Sequence, residues 1–178
     1  METDTTLTPE YEAELEAFMA DGGTLAMLQD ISGDTLEQLY ALAFGQYQAG
    51  KWEDAHKIFQ ALCMLDHYEP RYFLGLGACR QAMGEFETAV QSYSFGAMLD
   101  LKDPRFPFHA AECRLQQGDL NGAESVFHSA RLLADTDPQQ ADLTASAKVM
   151  LEAIAIRRDL QDEPDQQSKT GFPAGKHR

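Results

Sequence analysis

Three glycines, Gly50, Gly84 and Gly118, stand 34 residues apart, and the residues around them keep the same step. Trp52, Phe86 and Leu120 form a column at that period, and Ala55, Ala89 and Ala123 form the next. Phe59, Tyr93 and Phe127 follow, then Leu62, Gly96 and Ala130, then Leu65, Leu99 and Leu133. Columns held in register without a gap make this a repeat protein, in which each unit buries its apolar face only by stacking on a neighbour. Each column fits a pair of helices. The glycine ends the first helix, where a left-handed residue after the last turn costs it little. The bulky residue two places on covers the turn. The alanine lets two helices approach, and the aromatic four positions later lies on the same face, one turn along.

Helix starts agree with this reading. Asp34 and Glu37 form an Asp-x-x-Glu variant of the capping box. Asp103-Pro104 and Asp137-Pro138 place a capping acid before a proline at the first helical position, and Glu69-Pro70 repeats the pattern. The spacing predicts helices over 35–49, 53–67, 70–83, 87–100, 104–117, 121–134 and 138–160. Thr8-Pro9 opens an earlier helix to Ala20, Asp21-Gly22-Gly23 breaks it, and a short helix spans 24–30. Thirty-four residues per helix–turn–helix is the tetratricopeptide period, and the chain resembles that family over residues 36–135. The expected fold is all-α: a tetratricopeptide-repeat solenoid with a domain over 35–135 built on three helix–turn–helix repeats (36–69, 70–103 and 104–137, the last period running into the next helix start). N-terminal helices occupy 1–34, a C-terminal solvating helix 138–160, and a disordered tail 161–178.

With 44% hydrophobic residues in 178, the chain can build a core of one domain. Its charge limits its partners. Lys and Arg number 14 against 29 Asp and Glu, a formal net charge of −15. Residues 1–50 hold no Lys or Arg and ten acids. Such a field repels phosphate backbones and anionic headgroups, so neither nucleic acid nor a membrane surface is an expected partner. No apolar run approaches the ~18–20 residues of a membrane span, and no basic segment followed by an apolar one opens the chain. Cys63, Cys79 and Cys113 lack CxxC spacing and suit reduced thiols in a reducing compartment, so a cytosolic protein is expected.

Motifs for chemistry are sparse. Cys79 and Cys113 occupy one slot of successive repeats, which small buried side chains explain. His109 and Cys113 stand i, i+4, but no second pair completes four metal ligands. Gly75-Leu76-Gly77 has Arg80 where a third glycine would stand and lies inside a helix, so it is no phosphate loop. We therefore expect no enzyme, no metal and no cofactor.

The first repeat departs from the pattern. At 100° per residue, Leu39, Leu42, Ala43 and Gln46 form one stripe, read as the repeat's core face. Tyr40, Phe44 and Tyr47 form a second stripe, on the side that such a solenoid turns inward, where a solvated helix would carry charge. Either the N-terminal helices cover this stripe, or it buries the apolar side chains of a partner, for which Tyr combines large contact area with a polar tip. The same positions give Arg71, Leu74, Ala78 and Gln81 in the second repeat, and Arg105, Phe108, Glu112 and Leu115 in the third. The two arginines either face a partner or pair with neighbouring acids.

Particular strings go beyond the generic repeat: Gly22-Gly-Thr-Leu-Ala-Met-Leu28, Asp34-Thr-Leu-Glu-Gln-Leu-Tyr40, Phe59-Gln-Ala-Leu-Cys-Met-Leu-Asp-His-Tyr68, Phe73-Leu-Gly-Leu-Gly-Ala-Cys-Arg-Gln81 and Pro104-Arg-Phe-Pro-Phe-His-Ala-Ala-Glu-Cys113. With these the chain closely resembles the class II chaperones of bacterial type III secretion systems, the SycD/LcrH type, over residues 10–158. The resemblance implies a cytoplasmic protein that binds two hydrophobic, pore-forming translocator proteins in the concave groove and keeps them soluble without ATP. It also implies a homodimer when client-free, through the N-terminal segment and first repeat, and, for some members, a transcriptional regulatory partner. The alternative is a generic tetratricopeptide scaffold or regulatory adaptor. One that clamps a C-terminal carboxylate would want Lys and Asn where Tyr40, Phe44 and Ala78 stand.

Overall fold

A computed structural model describes residues 9–162, and its side chains over 12–160. All regular structure among these residues is helical. The elements are α1 (Pro9–Ala20), α2 (Leu25–Leu28), α3 (Gly33–Gln48), α4 (Trp52–Leu65), α5 (Pro70–Ala82), α6 (Phe86–Leu99), α7 (Arg105–Gln116), α8 (Leu120–Ala134) and α9 (Ala141–Asp162). A 3₁₀ turn, Pro138–Gln140, leads into α9. Each helix from α3 to α9 packs on the next, and α3 on α5, α5 on α7 and α7 on α9. That is an all-α solenoid whose inner wall is the row α3, α5, α7. Most of the tail expected over 161–178 lies outside the described residues, and its first two residues continue α9.

The turns work as the glycine column requires. Gly50, Gly84 and Gly118 have φ of 74°, 80° and 82°. In each turn the glycine N–H reaches back to the helix (Gly50 to the Tyr47 carbonyl, 3.0 Å), and the next residue reaches one further (Lys51 to Gln46, 3.0 Å). Two otherwise orphaned carbonyls are thereby satisfied, and only a left-handed residue allows it. Glu69 accepts from the Arg71 N–H at 3.1 Å, Asp103 from Arg105 at 2.9 Å and Asp137 from Gln139 at 2.9 Å. The start of α3 differs from expectation: Ser32, not Asp34, is the cap, its hydroxyl accepting from the Thr35 N–H at 3.2 Å. Asp34 instead sits in the first turn, where its charge suits the helix dipole.

Ala55, Ala89, Ala123, Phe59, Tyr93 and Phe127 are all buried. The rings fit because small residues face them. A Cβ on Gly75 would strike the Phe59 ring, one on Gly77 would lie 2.5 Å from Tyr93, and one on Gly96 would strike Phe106. Helix α9 closes the far end by placing Ala147 and Ile154 against Phe108, Ala111, Phe127 and Ala130. Arg158 ties it to α8 through Asn121 (2.8 Å) and Glu124 (2.9 Å).

Candidate functional site

The inner faces of α3, α5 and α7 enclose a groove of about 570 Å³, inside the ~300–1,000 Å³ range of ligand pockets. Its walls include Tyr40, Phe44, Tyr47, Arg71, Leu74, Ala78, Gln81, Arg105 and Glu112, nine of the residues singled out from the sequence. Space exists because the middle helix presents Gly75, Ala78 and Ala82.

Helix α3 supplies the aromatic wall. Its buried arc is Leu36 and Ala43, with Leu39, Tyr40, Gln46 and Tyr47 half-buried around it. The core face therefore lies between the two expected stripes. Leu42, expected in the core, is 51% exposed, because one residue along a helix from Ala43 is a 100° turn away from it. Phe44, on the opposite flank, is 46% exposed and faces the groove. Among the described residues helix α2 packs against α4 and not over this wall, so Phe44 stays open to the groove. Tyr40 lies nearly parallel to Phe44 (centroids 6.4 Å apart, 10°) and edge-on to Phe59 (5.9 Å), with Tyr72 at 6.0 Å. It is the hinge point between core and groove.

Both arginines pair with acids. Arg71 donates from Nε to Glu69 Oε1 at 3.0 Å and from Nη2 to Glu37 Oε1 at 2.5 Å. Its guanidinium lies 5.0 Å from the centre of the Tyr40 ring. Arg105 donates to Asp103 at 2.6 and 2.9 Å. Half-exposed pairs of this kind add little stability. Their effect is to fix two flat cations at the groove rim, one of them stacked on an anchor ring.

The third-repeat end has a polar floor. The Tyr93 hydroxyl donates to Gln81 Oε1 at 2.8 Å, and Gln81 Nε2 donates to Glu112 Oε2 at 3.1 Å. His109 Nδ1 lies 2.9 Å from the same Glu112 oxygen, and its ring stacks on Tyr93 at 5.6 Å. Burial pushes the Glu112 carboxyl up, but the hydrogen bonds from His109 and Gln81 outweigh it and hold it below the usual range. Burial raises the Tyr93 and Tyr47 hydroxyls, so both stay neutral and Tyr93 remains a donor to Gln81.

Two expected wall residues lie elsewhere. Phe108 is buried in the core, edge-on to Phe127 at 5.4 Å, and Leu115 packs on the same cluster. Their position points into the seam between successive inner helices, and α9 closes over it. Conversely, Phe59, Gly75, Ala82, Tyr93 and His109 line the groove without having been singled out for it. The signal for the two rings was the glycine opposite each, which lets a core aromatic show its edge on the inner face. His109 and Cys113 do not act together: His109 turns to Glu112 while Cys113 is buried beside Tyr93 and Phe106. Burial pushes the Cys63, Cys79 and Cys113 thiols up to about 12, 11 and 12, which keeps them protonated. Among the described residues no helix is long and apolar enough to cross a membrane.

The chain is 58% identical over 164 residues to low calcium response locus protein H of Yersinia pseudotuberculosis, covering 92% of this chain and 97% of that one. It belongs to the translocator chaperones of type III secretion. No protein-family model matches it. This chaperone also superposes on PcrH of Pseudomonas aeruginosa in complex with the chaperone-binding region of PopD (TM-score 0.70, 68% identity, 71% of this chain and 96% of that one). PcrH is also seen with the chaperone-binding region of PopB (TM-score 0.66, 70% identity, 67% and 97%). The Yersinia enterocolitica translocator chaperone SycD, in an alternative dimer, matches with TM-score 0.70 and 60% identity over 72% of this chain and 97% of that one.

Proposed function

We propose that this chaperone seats an extended apolar segment of a pore-forming translocator in the groove of α3, α5 and α7, keeping the client soluble in the bacterial cytoplasm until export. The observation that carries the reading is the open aromatic wall. A 46%-exposed Phe44 stacked on Tyr40, above a floor of Gly75 and Ala78, is an anchor with one face left uncovered. The groove serves two related clients in turn, as PcrH takes regions of both PopD and PopB. It acts by binding alone, without catalysis, nucleotide or metal. A few anchors in a shallow groove give an affinity that export machinery can reverse, which a large obligate interface would not. We assign residues 1–34 to self-association in the client-free state. Exposed Leu15, Met19, Met27 and Leu28 support this, since a short helix of that kind needs a docking surface. Replacing Tyr40, Phe44 and Tyr47 together by Ala, with circular dichroism to show retained helicity, should abolish co-purification of a translocator client. Client capture at the wild-type level by the folded triple variant would refute the groove reading.

A further inference from the structure

The carboxylate at the floor of the groove pairs with His109 and, among the described residues, has no lysine or arginine of its own. Glu112 is half-buried, and one of its oxygens, Oε2, takes both hydrogen bonds, from Gln81 and from His109. Gln81 is committed at both ends, since its Oε1 accepts from Tyr93. The two arginines that line the same groove are held at its rim, Arg71 by Glu69 and Glu37 and Arg105 by Asp103. Setting His109 aside, two guanidiniums stand among four carboxylates (Glu37, Glu69, Asp103, Glu112), so 2 − 4 = −2. An apolar client alone would bury the Glu112 charge further without compensating it, and burying an uncompensated charge is costly.

We infer that the groove reads two features of its client: an apolar anchor on the Tyr40–Phe44 wall and a cationic side chain, lysine or arginine, that reaches Glu112. The inference rests on the groove reading and adds a second determinant to it. A charge-assisted hydrogen bond to the open side of the carboxylate replaces the water that a client expels and completes the chain Tyr93–Gln81–Glu112–His109. It also sets direction: with the wall on α3 and the acid on α7, a segment carrying the anchor and the cation at its two ends satisfies both in one orientation only. Glu112 is then a specificity-determining residue, and the aromatic wall provides the general hold.

The test is a positional lysine scan of a synthetic parent peptide, the chaperone-binding region of PopD with its own lysines and arginines replaced by alanine, titrated against the full chain by calorimetry. Wild type, Glu112→Gln, Glu112→Asp and the Tyr40/Phe44/Tyr47 triple alanine variant are compared, each checked for helicity. We expect one position at which lysine tightens binding to wild type about tenfold, the size of one charged hydrogen bond partly screened by solvent. The gain should vanish in Glu112→Gln, survive in part in Glu112→Asp, and shrink in high salt. No gain at any position, or a gain that persists in Glu112→Gln, overturns the inference while leaving the groove reading intact. Unimpaired binding of the parent peptide by the triple variant sinks both.

Discussion

Replacing Phe44 by Ala removes a ring whose only aromatic contact among the described residues is the Tyr40 stack at 6.4 Å and which is 46% exposed. Full burial of a phenylalanine contributes ~1.5–3 kcal/mol, so a client that covers the exposed half gains about 1 kcal/mol. A well-placed stacking contact adds ~0.5–1.5 kcal/mol. The expected loss in client binding is therefore about 1–3 kcal/mol, a Kd raised roughly 5- to 150-fold. The free protein should lose less than about 1 kcal/mol of stability, since the side chain is already half in water. Phe108→Ala is the matched control. Phe108 occupies the equivalent inner-helix region of the third repeat but is buried against Phe127 and Ile154, so its removal should cost ~3–5 kcal/mol of stability. Client affinity of the surviving folded Phe108→Ala protein should change little. Thermal melts and calorimetry with a translocator segment give both numbers for each variant. Equal damage to affinity from the two substitutions, or a Phe44→Ala protein that binds like wild type, would refute the division into groove and core.

Gly77→Ala should lower the melting temperature, because its Cβ would lie 2.5 Å from the buried Tyr93 ring and overpacking costs ~1–3 kcal/mol; differential scanning calorimetry measures this. Burial raises the Tyr93 hydroxyl above its ordinary value of 10, so its contribution to stability is complete below about pH 10 and is lost as the pH rises further. Urea midpoints between pH 9 and 11 should fall in the wild type, and Tyr93→Phe should flatten that decline. A chain starting near residue 33 should self-associate more weakly than the full protein in sedimentation. Identical association constants would remove residues 1–34 from the interface.

The fold was legible because it is written three times. Gly50, Gly84 and Gly118 each take the same left-handed φ, and Ala55, Ala89 and Ala123 each vanish from solvent, so an error in reading one repeat is corrected by the other two. Element boundaries were less so where local chemistry offered two answers. Ser32 and Asp34 are both capable caps, and the backbone chose the earlier one. Nothing in 138–160 announces that the start is a 3₁₀ turn, since Asp137-Pro138 opens that turn as readily as an α-helix.

The groove was legible for nine residues and misread at Phe108 and Leu115 for a reason that helix periodicity alone does not contain. A position on an inner helix faces the groove or the seam with the next inner helix according to how closely that neighbour approaches. Tyr40 shows the intermediate case: its ring touches Phe59 and Tyr72 on one side and supports Phe44 in the groove on the other. In the third repeat the neighbour is α9, which brings Ala147 and Ile154 down on the ring and leaves it no open side. The same closing helix gives the third-repeat end a polar character by default. With Phe108 drawn into the core, the groove lining contributed by α7 is Arg105, His109 and Glu112. An aromatic wall at one end and a hydrogen-bonded carboxylate at the other thus follow from one packing decision, and that asymmetry is what gives the groove a direction in which to hold a chain.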